Sequence, residues 1–140
     1  VITDTKSEFT DFGRFTGVND AGTFVFNASL KNGNSGIFTI SNGIKITIAD
    51  TANGFESFRS ALLNNSGNII FYAVPREGKE GIFKGNDPVN DNIIFLGDTM
   101  FDSPVTELAL NPVSLNDNDQ IALRIKLEDS RQMIVRADLT

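Results

Sequence analysis

Asn64-Asn65-Ser66-Gly67-Asn68-Ile69-Ile70-Phe71-Tyr72-Ala73 is a second writing of Asn19-Asp20-Ala21-Gly22-Thr23-Phe24-Val25-Phe26-Asn27-Ala28. The offset of 45 residues runs without a gap to Gly36-Ile37-Phe38 and Gly81-Ile82-Phe83, and eight of the 20 aligned positions are identical. A decayed third copy begins at Asn116-Asp117-Asn118-Asp119-Gln120-Ile121-Ala122-Leu123. A second landmark returns as Ile2-Thr3-Asp4-Thr5, Ile48-Ala49-Asp50-Thr51 and Leu96-Gly97-Asp98-Thr99, at spacings of 46 and 48 residues. Repeats of that length belong to propeller blades or similar stacked units.

Each copy reads as four β-strands. In the middle copy Asn64-Asn65-Ser66-Gly67 carries turn chemistry, because Asn tolerates left-handed backbone angles and Gly adopts them freely. From Asn68 to Pro75 the residues alternate, with Ile69, Phe71 and Ala73 on one face and Ile70, Tyr72 and Val74 on the other. Period two in β-branched and aromatic residues predicts a strand. Phe58–Leu63 is its hairpin partner, followed by short strands at Gly81–Lys84 and Ile93–Leu96. In the first copy Ile37–Ile40, Ser41-Asn42-Gly43 and Ile44–Ile48 form a strong hairpin signal, since Asn-Gly fits the tight turns that match strand twist. No segment of 10–12 residues has helical periodicity with caps.

The Asn42-Gly43 hairpin sets the frame. The last two strands of a unit are neighbours, so units end after Asp50 and Asp98, and Thr51–Ser57 and Thr99–Pro104 are crossings. The expected organisation is one repeat domain over residues 1–140, with units at about 12–50, 57–98 and 105–140. Val1–Thr5 then reads as the final strand of an absent or partner unit, and the third unit lacks its own final strand. Either longer sequence completes both ends, or Val1–Thr5 of one molecule pairs with the third unit of a second copy to make a homodimer.

The expected fold class is all-β: three tandem four-stranded antiparallel units resembling propeller blades. A β-trefoil or β-prism is the alternative, but a closed threefold fold would give every unit the same surroundings. The second faces of the signature strands differ: Ile70, Tyr72 and Val74 are apolar, whereas Thr23, Val25, Asn27 and Ser29 are mixed, and Ala122, Arg124, Lys126 and Glu128 are largely polar. A sheet apolar on both faces between two half-exposed neighbours predicts a row of stacked blades.

Composition narrows the function classes. Hydrophobic content of 40% with 21% charged residues is that of a globular domain. No apolar run approaches the roughly 18–20 residues of a membrane helix, so no membrane insertion is expected. A net charge of −6, with Lys and Arg scattered singly, disfavours nucleic acid as a partner. Richness in Asn, Asp, Gly, Ser and Thr leans toward an extracellular or cell-surface protein. His, Cys and Trp are absent, which removes imidazole and thiolate chemistry.

Carboxylates are the remaining catalytic option. Asp4, Asp50 and Asp98 each follow a hydrophobic stretch and precede Thr, where an Asx-type turn would hold a departing chain. An acid repeated once per unit is architectural, because an active site needs asymmetry. Asn116-Asp117-Asn118-Asp119, and Asn86-Asp87 with Asp91, offer oxygen ligands for calcium but lack the EF-hand spacing. The expectation is a non-enzyme with no catalytic residue, no cofactor and no metal. Of the 12 Phe residues, Phe26, Phe38, Phe71 and Phe83 recur on strands and read as core. Phe9, Phe12, Phe55 and Phe101 fall in or beside loops, where they are candidates for a contact surface or for packing between units.

The signature Asn-x-x-Gly-x-x-x-Phe-x-x-x-Leu stands here as Asn19, Gly22, Phe26 and Leu30. It resembles the bacterial tandem-repeat family known by that consensus, whose members resemble secreted or surface-anchored propeller-like arrays. The second copy keeps Asn64, Gly67 and Phe71 with Pro75 for Leu; the third keeps Asn116 and Leu127, with Asp119 for Gly and Leu123 for Phe. The resemblance implies a β-repeat module for display or protein–protein contact in a larger exported protein, with neighbouring repeats or another protein as partner. A lectin-like glycan-binding domain is the alternative function.

Overall fold

The computed structural model describes residues 1–139. The chain is all-β, in three antiparallel sheets that follow one another along the sequence. The first sheet contains β1 (Phe9–Phe12), β3 (Phe24–Leu30), β4 (Ser35–Ser41) and β5 (Ile44–Asp50), with the two-residue β2 (Gly17–Val18) paired to β3. The second is β6 (Phe55–Leu63), β7 (Ile69–Pro75), β8 (Gly81–Phe83) and β9 (Asn92–Phe95). The third is β10 (Thr99–Met100), β11 (Ser103–Ala109), β12 (Gln120–Leu127) and β13 (Gln132–Asp138). One turn of 3-10 helix, Thr51–Asn53, makes the crossing between the first two sheets.

The local reasons are those of the turns. Asn42 and Gly43 both sit at positive φ between β4 and β5, as a two-residue hairpin requires. Gly22 and Gly67 stand at φ of 80° and 83°, and Asp119 holds the same place in the third copy at 59°. The decayed copy therefore keeps the turn with an Asp, one of the few non-glycine residues that tolerate that region. Gly36 and Gly81 do different work. A Cβ on either would lie 2.5 Å from the Ala49 carbonyl oxygen or 2.1 Å from that of Ile94. These glycines let the fourth strand close in at a bulge that recurs between Ile37 and Phe38 and between Ile82 and Phe83.

Stacking decides the packing. Val25, Ile37 and Ala49 of the first sheet form one buried cluster with Phe55, Phe71, Ala73 and Phe83 of the second. The opposite face of the second sheet, through Leu62, Ile70, Tyr72, Ile82 and Ile94, joins Val105, Leu108, Ile121, Leu123, Ile125 and Leu127 of the third. The middle sheet is thus buried on both faces, and the second and third blades each set the face bearing Phe71 or its counterpart Leu123 against the opposite face of the blade before. The arrangement is a row of blades, not a closed threefold fold.

The strand that precedes each signature strand starts at Phe9, Phe55 and Ser103, a few residues before the expected unit starts near 12, 57 and 105. The third sheet has three long strands plus the short arm β10, and β13 bears no fourth strand among the described residues. Val1–Asp4 forms no strand, and Thr5–Glu8 form a turn. The first sheet is not half-exposed. Its outer face carries Phe9, Phe26, Ala28, Phe38 and Ile40, all buried, because the rings shield one another and the Lys45 ammonium sits over Phe9 and Phe38, 5.6 and 5.2 Å from their ring centres.

Ile82 and Ile134 occupy the same repeat position on β8 and β13, yet Ile82 is 0% exposed and Ile134 is 77% exposed. Ile82→Ala is expected to cost roughly 2–5 kcal/mol. Ile134→Ala is expected to stay within about 0.5 kcal/mol. Chemical denaturation of the two variants checks the stacking order, and similar losses would contradict it.

Candidate functional site

The repeated turns converge on a ladder of side-chain amides. The carboxamide oxygen of Asn19 accepts from the Thr23 N–H at 3.0 Å, that of Asn64 from Asn68 at 2.9 Å, and that of Asn116 from Gln120 at 2.9 Å. Each Asn therefore closes its own turn with the oxygen and has its nitrogen free to reach elsewhere. Asn19 donates to the Asn64 carbonyl at 3.1 Å, and Asn64 donates to the Asn116 carbonyl at 3.0 Å. The next position adds a parallel rail: the Asp20 N–H donates to the Asn65 side chain at 2.7 Å, and the Asn65 N–H to Asp117 at 2.8 Å. Asn64, only 3% exposed, has its polar atoms bonded on both sides. A buried amide that is fully bonded fixes register, while a half-bonded one would destabilise.

The loop Asn116–Asp119, the calcium candidate, spends its oxygens on this ladder. Asp117 accepts from both nitrogens of Asn65, and Asp119 Oδ1 accepts from the side chains of Asn64 and Asn68. The Asn65 backbone N–H, followed by its side chain, holds the Asp117 carboxyl below its ordinary value of 3.8. In the other acidic loop, Asp87 accepts from the Val89 and Asn90 backbones and from the Asn90 side chain, which lowers its carboxyl likewise.

The three repeated acids each serve a turn of their own. Asp4 accepts from the Lys6 N–H, and Asp50 caps the 3-10 turn through the Ala52 N–H and the Asn53 side chain. Asp98 accepts from the Phe95 N–H. All three are spent on local turns, as an Asx arrangement predicts.

The loop-adjacent aromatics divide. Phe9, Phe12, Phe26 and Phe38 form a tetrad on the first sheet, with five ring pairs at 5.3–5.9 Å. Phe55, Phe58, Phe71 and Phe83 repeat it on the second, with five pairs at 5.1–6.2 Å. Phe9, Phe12 and Phe55 are therefore strand residues packed within the tetrads; a lone Phe after a turn gives no periodicity to reveal its strand. Phe101 remains exposed, at the tip of the β10–β11 hairpin. Phe101 and Asp102 both stand at positive φ, and Arg131 donates to the Phe101 carbonyl at 2.5 Å. Sequence reasoning missed the hairpin because its turn lacks Gly and Asn.

One polar cluster stood outside the sequence analysis. The Arg59 guanidinium lies 4.9 Å from the ring centre of Tyr72 and 3.8 Å from Glu80. Burial, and then Glu80, push the Tyr72 phenol above its ordinary value of 10.0. Open clefts of about 430, 410 and 350 Å³ lie where the three sheets meet, on the outer face of the third sheet and on that of the first. Their linings differ in kind, the last being almost wholly apolar through Ile2, Phe12, Phe24 and Phe26. No protein-family model, curated protein or solved structure matches the chain.

Gly67 has open space around its Cβ position, so Gly67→Val is opposed by backbone strain alone, roughly 1–3 kcal/mol. Asn64→Ala is expected to cost a similar amount by orphaning the Asn68 N–H and breaking the ladder, about 1–3 kcal/mol. Asn68→Val should cost clearly less than either in the same urea titration. The Asp117 carboxyl is depressed in the folded state, so its stabilisation is present above the ordinary aspartate value and lost as pH falls through the lowered one. Thermal melts from pH 7 to pH 2 should show a smaller acid loss in Asp117→Asn than in the parent.

Proposed function

We propose that the chain is a non-enzymatic β-repeat module for display or protein–protein contact within a larger exported bacterial protein. One observation carries the reading: the side chains that the repeat keeps are used in joining blades. The amides of Asn19 and Asn64 bind the next turn, the second Phe tetrad lies between two sheets, and Asp50 and Asp98 hold the crossings. A repeat whose kept polar groups face its own neighbours is selected for stacking, and the ends and tips of the stack are left for contact. The exposed aromatics Phe15 and Phe101 and the exposed Val18 and Ile2 lie there. The wealth of Asn, Gly, Ser and Thr supports a setting outside the cell.

Two measurements test this. An antibody raised against the chain should label intact cells of the source organism. A panel of oligosaccharides presented at millimolar concentration to the labelled protein should give no saturable binding. Binding with one site per blade, abolished by substitutions in the blades, would replace this reading with a lectin-like glycan-binding domain.

A further inference from the structure

We propose that the outer face of the first sheet is a docking site for one further blade of the same repeat type, one that presents an aliphatic face. The third sheet, by contrast, is built to end the stack. The proposal deepens the reading of the chain as a stacking module and rests on it.

The interface already in the molecule supplies the template. There the Val25, Ile37 and Ala49 face covers the tetrad Phe55, Phe58, Phe71 and Phe83. The first sheet carries the same tetrad, in nearly the same ring geometry, on the face that no sheet of this chain covers. A face presenting Val, Ile and Ala at those positions matches this surface as it matches the first once the Lys45 side chain, paired to Glu8 over Phe9 and Phe38, swings aside.

The entry path agrees. Ile2 lines the apolar cleft of about 350 Å³ beside Phe12, Phe24 and Phe26. Ile48, its repeat equivalent, lies beside Ile69, the equivalent of Phe24. Asp4 then turns through the Lys6 N–H as Asp50 turns through that of Ala52. Val1–Asp4 thus lies on the first tetrad as the end of β5 lies on the second, with Val1 and Ile2 exposed.

The amide ladder has a direction. The Asn64 carbonyl accepts from the Gly67 N–H and from the Asn19 side chain. Among the described residues, the Asn19 carbonyl accepts from the Gly22 N–H and from no side chain of another turn. The first end therefore offers an acceptor. At the far end the Asn116 amide turns back onto the Gln120 side chain at 2.9 Å, and the donor is used up.

The third sheet closes in two further ways. Met133 stands where Gly36 and Gly81 stand, and in those blades a Cβ would lie 2.1–2.5 Å from the fourth strand's carbonyl oxygen. A fourth strand in that bulged register, including Val1–Thr5 of a second copy, would have to displace Met133. The outer face of the sheet also carries the ion pairs Arg124–Glu107 and Arg136–Asp138, at 3.2 and 3.1 Å. Polar outer faces are the mark of capping repeats. A second copy could offer this largely charged face or its own Phe face; neither is the aliphatic face that covers the tetrad within the chain, and so the occupant is an aliphatic blade and not a second copy.

Repeat equivalence supplies a seamless test, because Asp4 and Asp50 are the same position. A chain reading residues 1–50 and then 5–140 places one additional first-type blade ahead of the tetrad. It should melt in one cooperative transition about 5 °C or more above the parent. Hydrogen exchange at the amides of the original Phe24–Leu30 strand should slow at least tenfold. Ile37→Asp in the inserted blade alone should abolish both gains. The same blade appended after Thr140 should melt independently and leave the parent midpoint unchanged. An insertion that melts in two steps, melts below the parent or fails to fold overturns the docking proposal, and an equal gain at both ends overturns the capping half. The parent's mass in solution should be that of a monomer, since a dimer or filament would make a second copy the occupant. Glycan binding would sink the display reading without moving any of these results.

Discussion

A β-sheet that is apolar on both faces cannot stand alone in water, and the middle sheet of this chain is such a sheet. Ile70, Tyr72 and Ile82 on one side and Phe55, Phe71 and Phe83 on the other are all buried. Full burial of side chains of this size stabilises by about 1.5–3 kcal/mol each. That gain is available only if two other sheets lie against it, so the doubly apolar sheet demands a row of three. The outer blades may then differ from it and from each other, since each has only one obligatory partner.

Hydrophobic layers set the order of the blades but not their register, because apolar contact has little direction. The Asn ladder supplies the direction. One carboxamide closes its own turn with the oxygen and reaches the next turn with the nitrogen, so the same residue shapes a blade and positions its neighbour. An Asp could accept for the turn but could not donate to the next carbonyl. A Gln would place its nitrogen one methylene further out. The signature keeps Asn in all three copies while its Gly, Phe and Leu each change in one copy.

Much of this was legible in the residues. The hairpin at Asn42-Gly43, the positive φ at Gly22 and Gly67 and the two-sided burial of β7 follow from turn chemistry and period-two alternation. What escaped was whatever depends on a residue far away in the chain. Phe9 and Phe55 look like isolated loop aromatics until β3 and β7 bring Phe26 and Phe71 to them. The partner of the Asn19 amide lies 45 residues away, and a local reading finds only its turn. The Phe101 hairpin was hidden because its tip has no Gly or Asn and places a Phe, which rarely adopts left-handed angles, at positive φ beside Asp102. Val1–Asp4 carries the letters of a final strand, but a strand is a property of two edges, and only one is here.

The departures from the repeat are where individuality enters. A position shared by all copies answers to the neighbour that all copies have, so it cannot single out an external partner. The third blade departs from the pattern at Met133, at the Phe101 hairpin and across its charged outer face. The first blade keeps the pattern fully, including a tetrad that nothing in this chain requires it to keep on an outer face. Retention on one end and drift on the other are what a directional stack imposes. The Phe face must stay fit for a neighbour, while the terminal face has only to stay compatible with water.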